Sequence, residues 1–181
     1  MGTRNLDAVF APESVAVAGA TDRPGSTGSQ VTQNLIASFK GRLYGVNPRR
    51  PSIAGIEMHG DVENLPEAPD LAVIVTPPET VLETARAFAA KGARAAIVIT
   101  DPKRGVERAA ATRKQLRALA DETGMRIVGP NALGVASRAL RATMSSLNAP
   151  EGAIAFVGQA TMAAGVVAVW AAQQHLSLIH I

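Results

Sequence analysis

The sequence predicts an α/β fold, a Rossmann-like doubly wound and mostly parallel sheet, and three observations carry that prediction. Short continuous apolar runs recur at residues 14–18, 71–75 and 95–99. Runs without polar alternation are what strands buried on both faces require. Each run leads through a loop into apolar residues at helical spacing, the alternation of a parallel sheet with right-handed crossovers. The first run, Ser14-Val15-Ala16-Val17-Ala18, enters a glycine-rich loop over residues 19–28 that opens a helix.

That helix offers Val31, Leu35, Ile36 and Phe39 to the sheet, and a second strand over 42–46 ends in Asn47-Pro48-Arg49-Arg50. The third strand, 71–75, runs into Thr76-Pro77-Pro78. In the helix that follows, Val81, Leu82, Ala85, Phe88 and Ala89 recur at helical spacing. Thr76 is expected to cap this helix, Pro78 to sit in its first turn, and Lys91-Gly92 to stop it. A fourth strand over 95–99 precedes a helix over 105–123, which Gly124 ends before a strand at 126–128 and the loop Gly129-Pro130-Asn131-Ala132-Leu133-Gly134. The first domain is expected over 6–148, with a boundary near Pro150. Residues 149–175 read as the truncated start of a second α/β domain of flavodoxin-like type. Residues 176–181 continue no helical or capping pattern and read as a non-native tail, excluded with His180 from functional reasoning.

The bulk numbers bound the function. At 181 residues, 47% hydrophobic and 3% aromatic, the chain can bury a substantial aliphatic core. Its formal charge of +3 suits a polyanionic small ligand. No basic run carries interleaved aromatics, so nucleic acid is not expected as a partner. The absence of cysteine excludes disulfides, thiol catalysis and cysteine–metal sites from this sequence. No apolar run reaches the roughly 18 residues of a membrane span. The first residues lack the apolar stretch of a secretory signal, and a cytoplasmic protein is expected.

In doubly wound sheets ligands bind beyond the carboxyl ends of the strands, so the strand-end segments are the candidate site. Gly19, Ala20, Thr21, Gly25, Ser26, Thr27 and Gly28 describe a phosphate cradle: helix-start amides and a partial positive charge attract phosphate, and glycine lets backbone approach it. The Ser26 and Thr27 hydroxyls are further donors. The spacing fits neither G-x-G-x-x-G nor a P-loop. At the second strand end, a NAD site would place a carboxylate to accept from the ribose 2′-hydroxyl. Here Asn47, Pro48 and Arg49 stand instead, and a guanidinium engages phosphate. A nucleotide carrying an extra phosphate follows, with coenzyme A leading and NADP the alternative. Val75, Thr76, Pro77, Pro78, Thr100 and Asn131 complete the ring of strand ends, while Lys103 and Arg104 read as a solvated loop. His59 reads as an isolated surface histidine in a loop. No catalytic residue and no metal ligand is assigned, because no nucleophile–base pair or paired carboxylates are recognisable.

Taken in order, residues 15–21, Pro24-Gly25-Ser26-Thr27-Gly28, Val46-Asn47-Pro48, residues 69–74 and Gly129-Pro130-Asn131 resemble the CoA-binding domain of NDP-forming acyl-CoA synthetases, relatives of the succinyl-CoA synthetase alpha subunit. The resemblance covers about residues 6–170. It implies coenzyme A at the matched strand ends. It also implies a larger parent in which ATP or ADP acts elsewhere and the CoA thiol captures an acyl phosphate formed through a phosphohistidine beyond this sequence. Gly158 and Ala160 replace the family's usual serines, Ala132 follows Asn131 where Cys or Ser is frequent, and Asp101-Pro102-Lys103-Arg104 replaces a small loop. These departures resemble the branch fused to a GNAT protein-lysine acetyltransferase. Partners are therefore expected to be an ATP-grasp region, a GNAT domain, or both, with a CoA-sensing regulatory role as an alternative and an NADP-binding reductase or redox sensor as a second. The fragment itself is expected to be non-catalytic.

Overall fold

The computed structural model describes residues 3–102, 106–145, 154–158, 161–174 and 178–180. The chain runs α1 (Leu6–Phe10), β1 (Ser14–Ala18), α2 (Thr27–Ser38), β2 (Arg42–Val46), β3 (Ser52–Ile53), β4 (Ile56–His59), β5 (Leu71–Ile74), α3 (Val81–Lys91), β6 (Ala95–Val98), α4 (Val106–Thr123), β7 (Arg126–Val128), β8 (Gly134–Ala136), β9 (Arg141–Thr143), β10 (Ile154–Phe156), α5 (Thr161–Gln173) and β11 (Leu178–His180). A seven-stranded sheet has the order β3-β4-β2-β1-β5-β6-β7. Its strands are parallel apart from β3, which pairs antiparallel with β4. This is the expected Rossmann-like α/β architecture.

Every residue of β1, β5 and β6 is buried, which explains their unbroken Val, Ile, Leu and Ala. One face packs Val17, Val73 and Ile97 against Val31 and Leu35 of α2 and against the β8–β9 hairpin. The other packs Ala72, Ile74 and Val98 against Phe88 of α3 and Leu116 of α4. The amino ends of the central strands are held electrostatically. The Asp70 carboxylate accepts from the Glu13 and Ser14 N–H groups at 2.9 and 3.2 Å and from Arg94 at 3.1 Å. Burial raises the Asp70 pKa, but these donors outweigh it and hold the carboxyl below its ordinary range. Arg94 also bridges to Asp7, tying α1 to β6.

Several expectations are corrected. Thr76 does not cap the third helix: α3 begins at Val81 behind Thr80, and the Pro77–Thr80 turn closes with a 3.0 Å bond from Thr80 N–H to Pro77 O. The prolines stiffen that turn and hold the helix off the strand end. Ile36 is 42% exposed, because the sheet-facing stripe of α2 is carried by Val31 and Leu35. His59 does not lie in a loop but ends β4, its ring edge-on to Tyr44 at 6.2 Å. Lys103, Arg104 and the boundary at 146–153 lie outside the described residues, as do Gln159 and Ala160. Leu178–His180 pairs parallel with Ile154–Phe156.

Candidate coenzyme site at the strand ends

The fold brings the sequence-chosen residues to one edge. Gly19 follows β1, Asn47 follows β2, Val75 and Thr76 follow β5, and Thr100 and Asn131 lie beyond β6 and β7. The chain leaves β1 for β2 on one side and later returns to β5 on the other, so β1 borders the switch point where such sheets bind ligands.

Backbone lines that point. Gly19 has φ +88°, and a Cβ there would lie 2.8 Å from Val75 C and O and 2.9 Å from Thr76 N. Gly28, in the first turn of α2, would place a Cβ 2.5 Å from Gly19 O and 2.9 Å from Thr21 Cγ2. The two glycines let the loop, the helix start and the β5 tip approach closely. Gly25 lies farther out, at φ +74° in open space.

The side chains at these strand ends also bond to one another's backbone. Ser26 is the N-cap of α2: its Oγ accepts from Ser29 N–H at 3.2 Å and donates to Arg23 O at 2.7 Å. It is committed to holding the loop. Thr27 is exposed at the first helical position, and the amides of Thr27 and Gly28 have no carbonyl within the helix to receive them. Asn47 is also a pin. Its Nδ2 donates to Ala20 O at 2.9 Å, while its Oδ1 accepts from Arg49 N–H at 2.8 Å. Thr100 Oγ1 donates to Thr76 O at 2.7 Å, fastening the β5 tip to the β6 tip. Thr76 Oγ1 is buried with no hydrogen-bond partner among the described residues. Asn131 is exposed at φ +61°, its N–H donating to Thr100 O at 3.1 Å.

Between the loop and the β2 tip lies a cleft of about 600 Å³, walled by Thr21, Asp22, Arg23, Asn47, Arg49 and Arg50. Arg50 Nη1 meets Asp22 Oδ2 at 3.1 Å, while Arg49 is exposed beside it. Asp22 and Arg23 escape motif reasoning, since neither belongs to a recurring pattern. Their signal is topological: both lie in the loop that faces the β2 tip. The cleft can hold a polyanion against the guanidinium groups of Arg23, Arg49 and Arg50. A second cleft of about 470 Å³ opens on the other side of the helix start, over Thr27, Gln30, Gln33 and Met144.

A family described as the CoA binding domain matches residues 13–138. The chain belongs to that family. The relatives it matches include proteins named as CoA synthases and CoA ligases. It is 33% identical over 178 residues to a trans-feruloyl-CoA synthase of an unknown prokaryotic organism, covering 95% of this chain and 25% of that protein. It is 34% identical to the alpha subunit of the ADP-forming acetate–CoA ligase II of Pyrococcus furiosus, covering 90% and 36% respectively. Among solved structures, the dinucleotide-forming acetyl-coenzyme A synthetase 1 of Ca. Korarchaeum cryptofilum, in complex with phosphate and ADP, superposes with a TM-score of 0.89 at 28% identity, covering 97% of this chain and 39% of that one. The CoA-binding chain thus spans roughly a quarter to two fifths of these relatives. Coenzyme A is the cofactor of this family, and the residues present fit it: a main-chain floor at Gly19 and Gly28, unpaired helix-start amides, and arginines in place of the carboxylate a NAD ribose would want. Among the described residues, no group of His, Asp and Glu could hold a metal ion, and no helix is long and apolar enough to cross a membrane.

Proposed function

We propose that this CoA-binding domain serves an ADP-forming acid–CoA ligase, gripping coenzyme A while other parts of the protein form the acyl donor. The observation that carries this reading is the cleft between the glycine loop and the β2 tip, with Arg23, Arg49 and Arg50 on its walls. The Thr27 and Gly28 amides take the diphosphate, and Arg49 takes the 3′-phosphate. The pantetheine arm passes the β5 and β6 tips at Thr76, Pro77, Pro78 and Thr100, towards Asn131. Coenzyme A supplies the thiol. The residues of this chain bind and orient it, and the acyl transfer itself belongs to the whole ligase.

The residues after 148 begin a second domain in this reading. Val166, Val169 and Trp170 stand exposed on α5, an apolar face suited to the rest of that domain. An ATP-grasp region in the same or a second chain completes the ligase, and its place is the cytoplasm. The acetyltransferase and NADP readings draw no support from the relatives, which are named as CoA ligases and synthases.

Calorimetry with coenzyme A, 3′-dephospho-coenzyme A and NADPH tests the proposal. Saturable 1:1 binding of coenzyme A is expected, at least tenfold weaker without the 3′-phosphate, with no saturation by NADPH. Tight NADPH binding without coenzyme A binding overturns it.

A further inference from the structure

Far from the coenzyme cleft, at the opposite edge of the sheet, a groove of about 500 Å³ runs between β7 and α4. Its floor is apolar, with Leu116 2% and Met125 3% exposed. Its rim carries Arg4, Arg113, Arg117 and Arg126 against one carboxylate, Asp121, which pairs with Arg117 at 3.3 Å. Arg113 and Arg117 stand one turn apart on α4.

The cations at the other end of the groove are held in place. The Arg4 guanidinium lies over Gly124 so closely that a Cβ there would be 2.8 Å from its Cζ. Arg126 donates from Nε and Nη2 to Arg4 O at 3.3 and 3.0 Å, and Asn5 Nδ2 donates to Gly124 O at 3.0 Å. A charge placed only to blunt a sheet edge needs no such fixing.

The edge itself is free among the described residues, since β7 pairs with β6 alone. Arg126 N–H donates inward to Arg94 O at 3.0 Å. In an extended strand the next residue presents its N–H and C=O to the opposite side, so those of Ile127 face the groove.

We infer that this groove is a docking site for an extended acidic segment of another polypeptide, which adds to the β7 edge through Ile127 and sets its carboxylates against the arginine rim. Main-chain pairing supplies affinity in such strand addition, and side chains supply specificity. The charge ratio of the rim selects acidic over basic segments.

The probe is a nine-residue peptide of alternating glutamate and valine with blocked ends, titrated into the full chain at low salt. Hydrogen exchange is read at the Ile127 amide, and sodium triphosphate serves as competitor. Expected are saturable 1:1 binding, exchange at Ile127 slowed at least tenfold, and at least tenfold weaker binding in the exposed double variant Arg113→Glu/Arg117→Glu. The lysine–valine counterpart does not bind. Failure of the peptide to saturate overturns the inference. So does displacement by triphosphate with Ile127 exchange unchanged throughout, which makes the groove a small-anion site. The exchange readout uses the unsubstituted protein and holds even if the double variant folds poorly. Neither result depends on coenzyme A binding.

Discussion

Replacing Gly28 with alanine sets two effects of opposite sign against each other. Alanine in a helix is favoured over glycine by up to about 1 kcal/mol, so propensity alone predicts a gain. The added Cβ, however, would sit 2.5 Å from Gly19 O and 2.9 Å from Thr21 Cγ2. A carbonyl cannot swing aside like the end of a long side chain, and Gly19 is itself fixed by its N–H to Val46 O and by contact with Val75. The helix must therefore move, and overpacking of this kind costs about 1–3 kcal/mol. With a packing cost near the middle of that range, packing outweighs propensity and leaves Gly28→Ala less stable by about 1–2 kcal/mol. The transition should fall by about 2–8 °C for a chain of this size. Because the helix start carries the Thr27 and Gly28 amides away from the β1 tip, affinity for coenzyme A should fall at least tenfold. Urea unfolding and calorimetry read the two effects separately. Gly25→Ala is the control: its φ of +74° is unfavourable for alanine, yet nothing lies within 4 Å of the new Cβ. A Gly28→Ala protein as stable as the original, with unchanged affinity for coenzyme A, refutes the reasoning.

Asp22 is the one carboxylate in the coenzyme cleft and holds Arg50. A surface ion pair is worth at most about 1 kcal/mol, so Asp22→Asn should tighten coenzyme A binding about 2- to 5-fold. The gain should shrink with 3′-dephospho-coenzyme A; weaker binding of coenzyme A contradicts the assignment. Asn47→Ala frees Ala20 O and the Arg49 N–H and should loosen the β2 tip. Coenzyme A affinity should then drop more than stability does, as calorimetry beside thermal unfolding would show. Asp70→Ala leaves the Glu13 and Ser14 N–H groups without their acceptor, a loss of about 1–3 kcal/mol at neutral pH. Because the Asp70 carboxyl is held below its ordinary value, its contribution is complete above about pH 4 and disappears as pH falls through the folded value. Stability measured from pH 6 down to 2 should therefore fall less steeply in the variant; parallel curves would contradict this.

The strands buried on both faces were legible because burial removes polar alternation, and β1, β5 and β6 stand where the apolar runs put them. What sequence reasoning missed is short or depends on distant partners. The β3–β4 hairpin has two residues in its first strand and turns through Ala54 and Gly55, both at positive φ, and an alanine there gives no warning. The β8–β9 hairpin is seated by Asn34, whose Nδ2 donates to Thr143 O at 2.7 Å and Ser145 O at 2.8 Å across more than a hundred residues. A buried helical asparagine declares such a role only once its partner is placed. At the site, glycine positions were legible because a missing side chain has few other uses at a strand end. The hydroxyls and amides were not. Ser26, Asn47 and Thr100 each spend hydrogen bonds on holding the loops, a role that their residue types do not announce.

That spending sharpens the choice between cofactors. Both ends of the Asn47 amide are engaged in holding the loop and the β2 tip. What the β2 tip offers is positive charge, from Arg49 outright and from Arg50 through an ion pair that a ligand can exchange. The Asn47 pin also fixes the distance between the two walls, because it joins Ala20 of the loop to the Arg49 amide at the tip. The spacing of the loop backbone at Ala20 from the β2 tip at Arg49 is thus set by the fold before any ligand arrives. In the proposed reading the ligand bridges the two walls with phosphates at both ends. Coenzyme A does so with its diphosphate and 3′-phosphate, whereas NAD carries a hydroxyl where the second charge is needed.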